Sequence, residues 1–164
     1  MSSYGKGKFE TVVWAVENFP QGSTCLDVGA CDGVWRKMLG EHFVMDAVEV
    51  FEPNARKLQG YRSVFIMNVS DLKYEWYDLI IFGDVIEHMT IREAQDVIKY
   101  AYMRCRDMVV AVPFKYKQGE LYGNKYEVHI QDDLTDEIFN ERYKGFEPLV
   151  AFDNYCYYHK EGVK

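Results

Sequence analysis

The sequence has no apolar run long enough to cross a bilayer. A membrane-spanning helix needs about 20 consecutive apolar residues, and polar or charged residues interrupt every apolar stretch of the 164-residue chain before that length. The N-terminal residues MSSYGKGKFE also lack the apolar core of a signal peptide. These absences predict a cytoplasmic protein with no membrane partner.

Cysteine is scarce, and its positions exclude two common structural uses. Cys25, Cys31, Cys105 and Cys156 form neither a CxxC pair nor a Cys/His zinc pattern, which predicts reduced, mostly buried thiols and no disulfide. The chain also lacks an internal repeat, a low-complexity tract and a linker. We therefore expect a single domain over residues 1–164.

A surplus of positive charge is missing as well. Against 26 Asp and Glu stand 19 Lys and Arg, so the formal net charge is −7. The basic residues form small scattered pairs, typical of solvated surface: Lys6/Lys8, Arg36/Lys37, Arg104/Arg106 and Lys115/Lys117. Such a chain repels a long phosphate backbone, which favours a small-molecule partner over nucleic acid.

The chain does contain an alternation of buried strands and amphipathic helices. Nearly continuous apolar runs predict the strands TCLDV, VMDAVEV, SVFIMN, YDLIIFGD and DMVVAVPF. Helices are predicted at 9–19, 34–43, 53–59, 90–103 and 134–143. Thr90 and Glu93 form a capping box, and the first helix has Val12, Val13, Val16 and Phe19 as its apolar residues. This order predicts a parallel sheet covered on both faces, ending in a hairpin that turns at Asp153-Asn154.

The loop after the first strand is the first candidate for a ligand site, because open parallel sheets bind ligands beyond the carboxyl ends of their strands. Asp27-Val28-Gly29-Ala30-Cys31-Asp32-Gly33 does not have the G-x-G-x-x-G spacing of dinucleotide-binding loops. It fits D-x-G-x-(G)-x-G, with Cys31 at the middle glycine position. This loop resembles the first motif of class I S-adenosylmethionine (SAM)-dependent methyltransferases.

Further segments resemble the same family in the same order. AVEV ends at Glu49, 22 residues after Asp27 (49 − 27), and MNVSDL, YDLIIFGDVIEHM and VVAVPF follow. Together these segments cover about Thr24 to Phe114, and KGFEPL resembles the C-terminal end. The resemblance implies an α/β fold, a Rossmann-like three-layer sandwich whose seven-stranded sheet has six parallel strands and one antiparallel strand in its C-terminal hairpin.

The resemblance also assigns cofactor contacts. In this family the leading acid, here Asp27, reaches the methionine ammonium of SAM directly or through water, and the acid at Glu49 holds the ribose hydroxyls. Asn68, where aspartate is usual, meets the adenine amino group, and the backbone of Val69 meets a ring nitrogen. The implied SAM contacts are Asp27, Gly29, Ala30, Gly33, Glu49, Val50, Asn68, Val69 and Gly83.

Cys31 departs from the motif. A side chain at this position is expected only with a negative φ angle and with Sγ pointing away from the cofactor, because a positive φ favours glycine.

Four polar side chains form a second group. Asp84, Glu87 and His88 follow the fourth strand and would share a face if the chain turned into a helix there, and His129 lies beyond the fifth strand. In some members, such as small-RNA terminal 2′-O-methyltransferases and certain ubiquinone-pathway O-methyltransferases, E-x-x-E-H and a later histidine bind a divalent metal. The resemblance makes these four residues candidate ligands for Mg²⁺, Mn²⁺ or Zn²⁺ and candidate catalytic bases. Alternatively, no metal is bound, His88 is hydrogen-bonded locally and His129 lies on a polar loop.

The sequence thus predicts a SAM-dependent methyltransferase that acts on an oxygen or nitrogen of a small molecule or sugar. The segment from Lys115 to Asp132 is expected to form a lid that selects the substrate. One alternative is a terminal-nucleotide RNA 2′-O-methyltransferase with a divalent metal, which predicts a basic cleft rim from Lys115, Lys117 and Lys125. Another is a non-catalytic SAM-binding partner subunit, favoured by the departures at Cys31 and Asn68.

Overall fold

The computed structural model describes residues 5–73 and 75–163, with a seven-stranded sheet at the centre. The strands are β1 Ser23–Val28, β2 Phe43–Glu49, β3 Ser63–Ile66, β4 Tyr77–Gly83, β5 Cys105–Pro113, β6 Glu147–Phe152 and β7 Tyr155–Glu161. The helices are α1 Gly5–Asn18, α2 Val34–Leu39, α3 Glu52–Ala55, α4 Ile91–Tyr102 and α5 Asp136–Arg142. No described helix has the length and apolar character needed to span a membrane.

The strand order is β3-β2-β1-β4-β5-β7-β6. β1 pairs in parallel with β2 and β4, whereas β7 runs antiparallel to both β5 and β6. The predicted sheet, with six parallel strands and one antiparallel strand, is therefore confirmed. The chain reverses its winding direction between β1 and β4, so the loops after these strands diverge and leave a crevice at the sheet edge.

The buried strands divide their side chains between two cores, because successive residues point to opposite faces. Leu79 and Ile81 of β4 join one core with residues of α1 and α2. Ile80 and Phe82 join the other, which contains residues of α4 and α5. Apolar side chains are thus needed on both faces, which explains the nearly continuous apolar runs.

Several element ends differ from the sequence prediction. α1 begins at Gly5, and α2 ends at Leu39 because Gly40 has a φ of 58° and opens a 3-10 turn. The helix predicted for 53–59 is only the four residues of α3. The Thr90/Glu93 capping box is confirmed, as is the prediction of mostly buried cysteines, since only Cys31 is exposed.

Candidate cofactor and active site

A cleft of about 520 Å³ lies at the carboxyl ends of the parallel strands. Its walls are the loop after β1, the ends of β2 and β4, the turn after β4 and the segment that follows β5. Most of the predicted site residues line it: Gly29, Ala30, Glu49, Val50, Asn68, Val69, Gly83, Asp84, Glu87, His88 and His129. Asp27 and Gly33 are buried and do not.

Asp27 lies behind the loop that forms the cleft wall. It is fully buried, and its Oδ2 accepts a 2.5 Å hydrogen bond from the Tyr61 hydroxyl. Its Oδ1 has no hydrogen-bond partner among the described residues. Burial raises the pKa of Asp27 to about 7, although the Tyr61 hydrogen bond opposes this shift. The carboxyl group therefore has an unsatisfied oxygen directly beneath the loop.

Cys31 adopts the backbone conformation that the sequence argument excluded. Its φ is 50°, so the prediction of a negative φ is wrong. The physical reason is that this turn directs the Cys31 backbone N–H to Glu49 Oε2, at 2.8 Å. The thiol Sγ lies 3.7 Å from Asn54 Nδ2, and Cys31 lines the cleft. Although the residue is exposed, the protein around its Sγ removes part of the thiol's hydration and raises its pKa to about 11, which keeps the thiol protonated at neutral pH.

Glu49 presents a fixed carboxylate to the cleft. It is 5% exposed, and Oε1 accepts a 2.8 Å hydrogen bond from Phe51 N while Oε2 accepts the one from Cys31 N. Burial raises the pKa of Glu49, against the effect of these backbone hydrogen bonds. Each oxygen keeps a lone pair for a ligand hydroxyl.

Asn68 and Gly83 lie on the two sides of β2, the strand that ends at Glu49. Asn68 follows β3, which is next to β2, and Gly83 ends β4, which lies beyond β1 on the other side. Asn68 is exposed, and its Oδ1 caps the following 3-10 turn by accepting a 2.9 Å hydrogen bond from Ser70 N. The carboxamide NH₂ and a second oxygen lone pair are still able to meet a ligand. At Gly83 a Cβ atom would collide with the Trp35 indole, so glycine is needed for packing.

Three of the four predicted polar residues come together beyond β4. One donor atom from each of Glu87, His88 and His129 lies within 4.8 Å of the others. The chain forms a 3-10 turn here, Ile86–His88, and Asp84 is not part of this cluster. The Asp84 carboxylate instead accepts a hydrogen bond from the Tyr155 hydroxyl of β7.

The cluster is poised to accept a cation or a proton. Glu87 is 1% exposed, and neither of its carboxyl oxygens has a hydrogen-bond partner among the described residues. His88 Nδ1 lies 3.2 Å from the Val128 carbonyl and His129 Nδ1 lies 2.7 Å from the Tyr116 carbonyl. Because a carbonyl can only accept, both Nδ1 atoms carry the proton and both Nε2 atoms keep a lone pair.

The pKa values of this cluster follow from burial. Burial, followed by the charge of Asp84, raises the pKa of Glu87 well above its usual value. Burial and the neighbouring His129 lower the pKa of His88 to about 4, so its imidazole is neutral at physiological pH.

The segment from Lys115 to Asp132, here called the lid segment, covers this end of the cleft. Tyr116, Gln118, Asn124, Tyr126, Glu127 and His129 contribute to the cleft wall. Both ends of the segment are tied down. Lys115 N donates to Leu134 O at 2.9 Å, and the backbone N–H groups of Ile130 and Gln131 donate to Glu87 O at 2.8 and 3.0 Å.

Sequence reasoning missed Lys8 and Tyr155. Lys8 was assigned to solvated surface, but it is 4% exposed and lines the cleft, so that assignment is wrong. A signal was available, since Lys8 lies one helical turn before Val12 on the inner face of α1. Tyr155 had no such signal, because it reaches Asp84 only through the pairing of β7 with β5.

Comparison with known proteins establishes the fold. No protein-family model and no curated protein sequence matches the chain. The N-methyltransferase NodS from Bradyrhizobium japonicum, solved with S-adenosylhomocysteine (SAH), superimposes with a TM-score of 0.71 at 8% identity, covering 99% of this chain and 89% of NodS. A SAM-dependent methyltransferase from Clostridium acetobutylicum gives 0.70 at 14% identity, over 96% and 92% of the two chains.

A third similar structure has a bound acceptor. The 1,6-didemethyltoxoflavin-N1-methyltransferase from Burkholderia thailandensis, solved with 1,6-didemethyltoxoflavin and SAH, gives a TM-score of 0.69 at 18% identity, over 95% and 77% of the chains. The chain has the class I SAM-dependent methyltransferase fold. In this methyltransferase fold the cleft described above lies at the crevice where the winding direction reverses.

Proposed function

We propose that the chain is a SAM-dependent methyltransferase whose acceptor is a hydroxyl group of a small molecule or sugar. The observation that carries this proposal is the Glu49 carboxylate, which backbone hydrogen bonds hold in the cleft of a methyltransferase fold. The cleft volume of about 520 Å³ is in the range of small-molecule sites. Lys115, Lys117 and Lys125 are exposed but do not line the cleft, which supports a small acceptor over RNA.

The residues present suit the parts of SAM. Glu49 can accept hydrogen bonds from two ribose hydroxyls, and Asn68 and Val69 line the cleft beyond it, where adenine would lie. The unpartnered Asp27 Oδ1 lies beneath the loop, and Asp84 lines the cleft. These carboxyl groups favour the cationic sulfonium and ammonium groups.

Methyl transfer forms a bond between the acceptor oxygen and the methyl carbon while the carbon–sulfur bond breaks, and SAM supplies the methyl group. The chain must align the two reactants and exclude water. It must also remove the hydroxyl proton, and when no cation is bound Nε2 of His88 or His129, or the Glu87 carboxylate, can accept it within the cluster. The product SAH keeps the ribose and the amino-acid group, which Glu49 and the carboxyl groups of Asp27 and Asp84 are proposed to bind.

We further propose that Glu87, His88 and His129 hold a divalent cation beside the acceptor. The support is the donor set: a buried carboxyl group with no partner and two imidazoles whose Nδ1 protons are fixed by carbonyls. Such carbonyl contacts orient histidines that bind metals. A bound divalent cation would lower the pKa of an acceptor hydroxyl.

The cofactor proposal is tested by calorimetric titration with SAH, which measures its Kd, and by unfolding of the protein with and without SAH. SAH at 100 times its Kd should raise the free energy of unfolding by about 2.7 kcal/mol. Glu49→Gln should weaken SAH binding by about 10- to 100-fold, because a charged acceptor of two hydrogen bonds is lost. Glu52→Gln, a change of an exposed acid on α3, is the matched control and should bind SAH as the wild type does. Absence of SAH binding by the wild type would contradict the proposal.

The metal proposal is tested by electron paramagnetic resonance titration with Mn²⁺ in the presence of SAH. Glu87→Gln and His129→Gln should each weaken Mn²⁺ binding at least about 10-fold while SAH binding persists. His42→Gln is the control, since the His42 ring contacts the Phe19 carbonyl and does not line the cleft. Equal Mn²⁺ binding by all of these proteins would refute the metal site and leave the cluster as a proton acceptor.

A further inference from the structure

Lys8 places an almost completely buried ammonium group at the cleft. The side chain extends from α1, which packs against α2, β6 and β7. Lys8 is 4% exposed, and its Nζ lies 5.2 Å from the centroid of the Trp35 ring. With the residues that the structure describes, Lys8 forms no hydrogen bond and no ion pair. Its contacts with the chain are therefore apolar packing and one cation–π interaction.

With the described part of the chain, the buried ammonium group of Lys8 lacks hydrogen bonds that would compensate for its lost hydration. It has three N–H donors, and removing a charge from water is costly unless hydrogen bonds replace the lost hydration. Burial lowers the pKa of Lys8, although the carboxyl groups of Asp84, Asp27 and Asp32 act in the opposite direction. The chain supplies negative charge nearby without supplying an acceptor in contact.

The position of Lys8 along the cleft indicates which ligand group it faces. The carboxyl groups whose charges influence it are Asp84 after β4, Asp27 in β1 and Asp32 in the loop after β1, whereas Glu49 ends β2 and Asn68 follows β3, on the other side of β1 in the sheet. Lys8 is also the only lysine or arginine among the described residues that line the cleft. A molecule that puts its ribose on Glu49 would extend its amino-acid end toward Lys8.

We propose that Lys8 binds the carboxylate of the methionine moiety of SAM and SAH. This inference rests on the proposed function, because it assumes that SAM occupies the cleft. The amino-acid end of SAM has one cationic and one anionic group on the same carbon, and this part of the cleft offers partners of both signs. The acids near the loop suit the ammonium group, and Lys8 donates hydrogen bonds to the carboxylate. The Trp35 ring contacts the same ammonium group through the cation–π interaction.

The test is a comparison of two ligands in two proteins by isothermal titration calorimetry. SAH contains the amino-acid group, and 5′-methylthioadenosine keeps the adenosine and the thioether without it. Lys8→Met, which preserves the aliphatic length, should weaken SAH binding by about 10- to 100-fold and change 5′-methylthioadenosine binding less than about twofold. Lys99→Met on the exposed side of α4 is the matched control and should bind both ligands as the wild type does.

Stability of the ligand-free protein gives an independent readout. Lys8→Met removes a buried charge that has no hydrogen bond, so its Tm without ligand should equal or exceed that of the wild type. A lysine with a purely structural role would give a lower Tm and would weaken the binding of both ligands equally. That result would overturn the inference, as would unchanged SAH binding by Lys8→Met.

A second measurement needs no variant. Decarboxylated SAH keeps the amine and lacks the carboxylate, and the wild type should bind it about 10- to 100-fold more weakly than SAH. Equal affinities would overturn the assignment of Lys8 while leaving the proposed function intact. A wild type that binds neither SAH nor 5′-methylthioadenosine would overturn both.

Discussion

At the scale of single residues, the loop after β1 combines a strained backbone with a binding role. Cys31 has a φ of 50° and donates its N–H to Glu49. A left-handed conformation costs a non-glycine residue roughly 1–2 kcal/mol, and Asp84, which also lines the cleft, has a φ of 58°. Residues held in this region cluster at ligand sites, where the surrounding structure fixes them.

The strain at Cys31 predicts a stabilising substitution. Cys31→Gly should raise the free energy of unfolding by up to about 1 kcal/mol, because relief of the left-handed strain exceeds the added entropy of the unfolded glycine. Urea unfolding measures this change. Cys31→Ala removes the thiol but keeps the Cβ atom, so it should give no such gain. Equal stability of the two variants would show that the backbone at this position is not strained.

At the scale of elements, the sequence predicted the buried strands and the helix start that a local residue pattern determines. The apolar runs of β4 and β5 and the capping box of α4 stand out because burial on two faces and a helix N-terminus each demand particular residues. The predicted apolar face of α1 was only half right. Val12 and Phe19 are buried, but Val13 and Val16 are each 40% exposed, and the inner face instead includes Lys8 and Ala15.

Only the site residues that belong to the family motifs could be predicted from the sequence. Glu49 and Gly83 end β2 and β4, and Glu87 and His88 lie in the turn after β4, so the strand order brings them to one edge of the sheet. The conformation of Cys31 could not be predicted, because spacing does not show which turn directs its N–H to Glu49. The helical spacing places Lys8 on the inner face of α1, but the packing of α1 on the sheet, which brings Lys8 to the cleft, is a long-range contact that no local pattern encodes.

At the scale of the whole molecule, the buried Asp27 links stability to pH. In the unfolded chain its carboxyl group ionises near pH 4, whereas burial raises the pKa to about 7 in the folded protein. The folded chain therefore binds the proton more tightly between these values. Asp27 contributes its full stability below about pH 4, and this contribution is lost as the pH rises to about 7.

This linkage predicts the behaviour of an isosteric variant. The loss due to Asp27 between about pH 4 and 8 should be on the order of a few kcal/mol, and Asp27→Asn should lack it because an amide does not titrate. Urea unfolding at several pH values gives the slope for each protein. Asp153→Asn, at the exposed turn of the hairpin, should keep the wild-type slope. Parallel slopes for the wild type and Asp27→Asn would contradict the raised pKa.

The tethering of the lid segment at both ends has a consequence for engineering. Lys115 is fixed by Leu134, and Ile130 and Gln131 are fixed by the Glu87 carbonyl, so these contacts set the distance that any replacement loop must bridge. The residues between these anchors can be replaced as one unit, and β5 and the turn after β4 stay unchanged. Libraries that vary this stretch in length and composition would change one wall of the cleft on a constant scaffold.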